Sequence, residues 1–151
     1  LPEVRRILAE NALALFRFQI ASAQQDMKQA TDMLLRTGGS LAIAIRLRRA
    51  DYPYRDLTIR AARANGAMTE LEKIQAGNGD FYLYGWTREN RIAEWMLVNL
   101  HQLRASGLLT QYHPIRNRDG ATAFIAIPHA VLSEHRCVVS KHILQSERKL
   151  A

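Results

Sequence analysis

One cysteine, Cys137, stands in 151 residues, so no intrachain disulfide can form and the chain is expected to suit a reducing compartment, the cytoplasm. Glycine, with 8 residues, and proline, with 4, are too scarce for a linker or a collagenous chain. The longest uncharged apolar run falls well short of the ~18 residues a spanning helix needs, so no membrane segment is expected. No signal-peptide pattern occurs either. The dinucleotide, Walker-type and nucleophile-elbow glycine motifs are missing, as are Cys-x-x-Cys and His-Glu-x-x-His. The histidines, His101, His113, His129, His135 and His142, all lie in the last third. His135 and His142 are two helical turns apart, where zinc-binding helices prefer roughly three or four residues. Cys137, followed by Val138 and Val139, reads as a buried thiol rather than a nucleophile. Neither a cofactor, a metal nor catalysis is therefore expected.

Lysine is scarce too, and here the absence points somewhere. Only Lys28, Lys73, Lys141 and Lys149 accompany seventeen arginines, and 21 basic residues against 14 acidic ones give a net charge of +7. Arginine grips phosphate or carboxylate bidentately, which lysine cannot, and a strongly basic domain meets one criterion for binding nucleic acid. The competing account is a genome whose codon usage favours arginine. The length and the 48% of hydrophobic residues fit a single globular domain. A first residue of Leu1 rather than Met leads to the expectation of a fragment of a larger protein.

Residues 1–37 are expected to form a long helix, uninterrupted by glycine or proline from Glu3 to Thr37. Leu1, Val4, Leu8, Asn11, Leu15 and Phe18 follow heptad spacing, so residues 1–20 could seam a homodimer. Packing on the chain's own domain is the preferred alternative, since Leu13, Phe16 and Ile20 make a second apolar face. Residues 38–80 form a basic sheet-and-helix region. Leu41 to Arg48 alternates as a half-buried strand with Arg46 and Arg48 leaving by the outer face, with a helix as the competing reading because Ala, Leu and Arg are helix formers. Asp51-Tyr52-Pro53-Tyr54 makes a turn. Leu57 to Ala61 suits a strand pairing back on the first, and Met68, Leu71 and Ile74 suit a helix. Gly77-Asn78-Gly79-Asp80 makes a turn. In residues 81–151, Phe81–Trp86 reads as a strand and Thr87 as the N-cap of a helix carrying Ile92, Met96, Leu100 and Leu103 to Gly107. Leu108–Tyr112 and Ala121–Ile127 flank Asn117-Arg118-Asp119-Gly120 as a hairpin. His129–Leu150 reads as a closing helix.

Helix Arg91–Leu109, the exit Leu103-Arg104-Ala105-Ser106-Gly107-Leu108 and the hairpin around Arg116 and Arg118 resemble the second half of a winged-helix domain over residues 81–127. The resemblance implies a helix that enters the DNA major groove and a wing that touches the backbone, although members of that family also dock proteins. On the helix, Arg88, Arg91, His101 and Arg104 would meet nucleic acid, and Arg116 and Arg118 would sit on the wing. Arg36, Arg46, Arg48, Arg49, Arg55, Arg60 and Arg63 form a second basic cluster interleaved with Tyr52 and Tyr54, the composition of a nucleic-acid surface. Arg46, Arg48 and Arg49 are its leading contacts.

The fold class expected is α+β, with a long N-terminal helix, a small mixed or antiparallel sheet and a winged-helix-like C-terminal half. The function expected is a non-enzymatic nucleic-acid-binding module, DNA favoured over RNA, of a regulatory, replication or mobile-element protein, with transcription regulation among its roles. The alternative is a sensory or docking module that binds a small ligand or an acidic protein partner. That alternative calls for a closed apolar pocket and for positive charge spread over several faces.

Overall fold

The computed structural model describes residues 2–12, 33–36 and 40–144. Among the described residues the chain is mixed α+β, with two sheets. Helix α1 (Pro2–Glu10) leads, followed by β1 (Met33–Arg36), β2 (Ser40–Arg49), β3 (Asp56–Ala62), α2 (Glu70–Gln75), β4 (Phe81–Arg88) and β5 (Arg91–Asn99). Helices α3 (Leu100–Ser106) and α4 (Leu108–Gln111), strands β6 (Ile115–Arg116) and β7 (Ala123–Pro128), helix α5 (His129–Glu134) and strand β8 (Val138–His142) complete it. One sheet has the order β1-β2-β4-β5-β8, with β2 and β4 parallel; the other is β3-β7-β6.

The large sheet is buried on both faces. On one, Val4, Ile7 and Leu8 of α1 pack with Leu41, Ile43, Phe81, Leu83 and Leu97. On the other, Tyr82, Tyr84, Trp86, Met96 and Val98 meet Leu57, Ile59, Ile125 and Ile127 of the small sheet, together with Leu103, Leu108 and Leu109. Helix α1 is thus short among the described residues, and its seam residues Val4 and Leu8 serve the intramolecular core. The seam beyond it, including Leu15 and Phe18, lies outside the described residues. Met33–Arg36, expected to be helical, is a strand antiparallel to β2.

Burial on both faces also explains the largest correction. Ile92, Trp95, Met96, Leu97 and Val98 leave no alternation, and Ile92, Met96, Leu100 and Leu103 mimic a helical repeat. Arg91–Asn99 is instead a strand paired antiparallel with β4. Glu89 and Asn90, both at positive φ, make the turn between them. The register slips by one residue at Ala93, since Trp86 pairs with Glu94 but Thr87 with Ile92. Thr87 is consequently no N-cap; its hydroxyl donates to the Arg48 carbonyl, 3.1 Å away. The helix begins only at Leu100, capped by Asn99, and ends at Gly107 with φ 78°. No winged-helix fold is shown. Two further expectations change. Leu108–Gln111 is helical, with only Ile115–Arg116 pairing to β7, and the expected closing helix stops at Glu134 before β8.

Candidate functional site

The strand β2 and the turn at Asp51–Tyr54 developed as expected, but the arginine face of β2 does not point to open solvent. Arg46 and Arg48 lie beside Tyr84 and Trp86 in the parallel register, on the face that meets β3. β3 itself pairs with β7 rather than with β2. Between β2 and the small sheet lies a cavity of about 390 Å³, lined by Arg46, Arg48 and Arg60, by Tyr52 and Phe124, and by Asn117 from the β6–β7 loop.

A polar network fixes two of these guanidinium groups. Arg46 donates to the Thr58 carbonyl at 3.1 Å and lies 3.4 Å from the Glu70 carboxylate. Arg48 donates to the Thr58 hydroxyl at 2.7 Å, and its guanidinium sits 4.4 Å above the Tyr52 ring. That hydroxyl is also 2.7 Å from the Tyr84 hydroxyl, and the Tyr82 hydroxyl donates to Glu70. Burial works against the Arg46 charge, but Tyr82, Glu70 and Tyr84 outweigh it, so the guanidinium is held above its ordinary pKa. Burial pushes both tyrosine hydroxyls up, so they stay neutral. Arg46 is thus paired with Glu70, while Arg48 and the exposed Arg60 bring two further guanidinium groups to the cavity. A surplus of positive charge held in fixed geometry is a receptor for phosphate or carboxylate.

The remaining expected contacts divide between two ends of the large sheet. Arg49 pairs with Thr87 and Arg88 with Arg91, so the three arginines gather at one end, all exposed, with Arg49 2.9 Å from Asp51. His101 and Arg104 follow the opposite end of β5. β4 separates the two ends by about 23 Å at the usual rise per residue. Arg104 is engaged internally, donating to the carbonyls of Ile74, Asn78 and Gly79. It caps α2 rather than reaching outward. His101 holds the Asp80 carboxylate at 2.8 Å, and the other Asp80 oxygen accepts the Ala42 N–H at 2.8 Å. Arg116 and Arg118 are exposed on the hairpin, as expected, with Arg116 donating to the Gly120 carbonyl at 3.1 Å. Asn117, between them, brings the hairpin to the cavity.

Asp80 carries a pH dependence. Burial raises its carboxyl, yet the His101 hydrogen bond, the Ala42 N–H and the charges of His101 and Arg104 together hold it below the ordinary range. A folded value below the unfolded one contributes stability that is complete above the unfolded pKa, about 3.9, and is lost as pH falls through the folded value. The stability gap between the native chain and Asp80→Asn should therefore shrink as pH falls below about 4. Urea melts across that range check it; a constant gap down to low pH would contradict the assignment.

Sequence reasoning missed Thr58, Glu70, Tyr84, Asn117 and Phe124. One signal was available: a threonine between Leu57 and Ile59 is a polar break in an apolar strand. Cys137 is fully buried, with burial pushing its thiol up, which suits the inert reading. Among the described residues no group of three His, Cys, Asp or Glu is placed to hold a metal ion, and no helix is long and apolar enough to cross a membrane. No protein-family model matches the chain, and no curated protein and no solved structure matches it either.

Proposed function

We propose that the chain is a nucleic-acid-binding module that holds phosphates in the cavity between β2 and the small sheet. One observation carries this reading: Arg46, Arg48 and Arg60 converge with the hairpin's Asn117 on a single cavity. The basic residues there all come from β2 and β3, the hairpin adds a neutral amide, and His101 and Arg104 stand apart. Exposed Arg118 and the Arg49, Arg88 and Arg91 group extend the positive surface on which a polyanion could run. The polymer's counterions are released as arginines replace them, so binding should weaken steeply with salt.

Anisotropy titrations of labelled DNA and RNA across ionic strength test the proposal. Arg60 and Arg118 are exposed, so the double variant Arg60→Ala, Arg118→Ala should keep thermal stability within ~0.5 kcal/mol. It should lower the salt slope by up to about one for each lost phosphate contact. No binding of either polymer at low salt, or an unchanged slope in the double variant, would overturn the reading.

A second cavity, about 480 Å³ and lined in part by Tyr54, Pro128, His129, Ile143 and Leu144, favours the alternative of a small-ligand module. Its volume falls within the usual range for ligand pockets, and its walls are largely apolar. The arginine cavity is preferred because three arginines line it, whereas the basic residues of the second, Arg55 and Lys141, are engaged with Glu94 and Ser133.

A further inference from the structure

We propose that the arginine cavity selects an unpaired nucleotide, taking one base against Phe124 while Arg60 and its neighbours hold the adjoining phosphates; this rests on the nucleic-acid reading above. The cavity is an open concavity, and its 390 Å³ falls within the range of small-ligand sites. It also has two aromatic walls in different states. The Tyr52 ring is already covered by Arg48 at 4.4 Å and packs edge-on to Tyr54. Phe124 is half-buried, and among the described residues no ring or guanidinium stacks on it. Its place in the strand is fixed on both sides, because it pairs with Arg60 in β3 and with Ile115 in β6. The pairing with Arg60 sets an aromatic and a guanidinium side by side, the combination that holds a base and the phosphate attached to it. Asn117 adds a selective element. Its amide nitrogen donates to the Thr122 hydroxyl at 2.8 Å, which holds in place a polar side chain that lines the cavity. In a duplex each base is stacked on both faces, so none can present a face to Phe124 until it leaves the stack. Strand state, rather than base sequence, is thus what the cavity reads.

The experiment compares a labelled single strand of about a dozen nucleotides with a duplex of equal length, at one low salt concentration. The probes are oligothymidine and a mixed-sequence duplex. The full chain, Phe124→Leu and Phe124→Tyr are titrated, with far-ultraviolet circular dichroism confirming the fold of each. The expected result is tighter binding of the single strand. Phe124→Leu should weaken it by about fivefold to a hundredfold, as expected for loss of one stacked base, and leave the duplex unchanged. Phe124→Tyr, which keeps the ring, should restore most of the affinity. Equal affinity for the two polymers would overturn the inference, as would a leucine variant that binds normally or a tyrosine variant as weak as leucine. An equal loss on both polymers would overturn it too. Those outcomes leave the phosphate-binding proposal standing, whereas binding of neither polymer would remove both.

Discussion

Glu94→Ala should cost about 3–5 kcal/mol of folding stability, the usual penalty for breaking a buried ion pair from one side. Glu94 is 3% exposed in the middle of β5. One of its oxygens accepts from Arg55 twice, at 2.9 and 2.6 Å, and the other accepts the Leu144 N–H at 3.1 Å. Arg55 in turn donates to the Tyr52 and Ala50 carbonyls and sits 5.1 Å over the Trp86 ring. Removing the carboxylate leaves a guanidinium in an apolar setting and unties both the β2–β3 turn and the segment after β8. The pair's net worth is a separate matter. The double variant Arg55→Met, Glu94→Leu should recover most of the loss, because two desolvated charges are replaced by apolar volume. Urea denaturation of the two single variants and the double one decides it. A loss below about 1 kcal/mol in Glu94→Ala would mean that water reaches the pair and screens it.

Ile7→Ala is the second large effect, about 2–5 kcal/mol. Ile7 is 1% exposed and lies with Val4 and Leu8 on the α1 stripe that covers Leu41, Ile43, Phe81, Leu83 and Leu97. Glu3 fastens the start of the helix by accepting the Ile92 N–H at 2.8 Å. A helix this short has little stability alone, so its place depends on that burial. The loss should be the same at every protein concentration, as measured by urea melts over a hundredfold dilution, about the span needed to expose a linked association. A destabilisation that grows on dilution would return α1 to the dimer seam that its heptad spacing also allows.

Much of the local structure was legible where a single rule governs a segment. Alternation located β2, aromatic density located β4, and Asp119-Gly120 located the hairpin, where the Asp119 carboxylate accepts the N–H groups of Ala121 and Thr122. The helix after Asn65-Gly66 carries a complete capping box between Thr69 and Glu72. Where two faces are buried, as in β5, the periodicity that separates strand from helix vanishes. Pairing was less legible than strand identity: Leu57–Ala61 has the composition of a strand, but nothing local tells β3 to choose β7 over β2. The site suffered most from this. Arg46, Arg48 and Arg60 were recognised as basic, yet their meeting around Thr58 and Asn117 depends on contacts between segments far apart in the chain. Arg104 and His101, grouped with the others as donors, turn inward because the α2 carbonyls and Asp80 take up their hydrogen bonds.

The bonds that Arg46 and Glu70 make to β3 also bear on how the molecule behaves in a crowd. β3 is the outer strand of the small sheet, with β7 on one side only. An outer strand leaves a row of N–H and carbonyl groups to which a strand from another molecule can add. Here Arg46 occupies the Thr58 carbonyl, and Glu70 accepts the Arg60 N–H at 3.0 Å, so two side chains stand where a neighbouring strand's backbone would go. Those two groups share one parity along the strand, the one β7 does not use. Plugging them with an arginine and a glutamate, themselves an ion pair, blunts the rim against sheet extension and hence against aggregation.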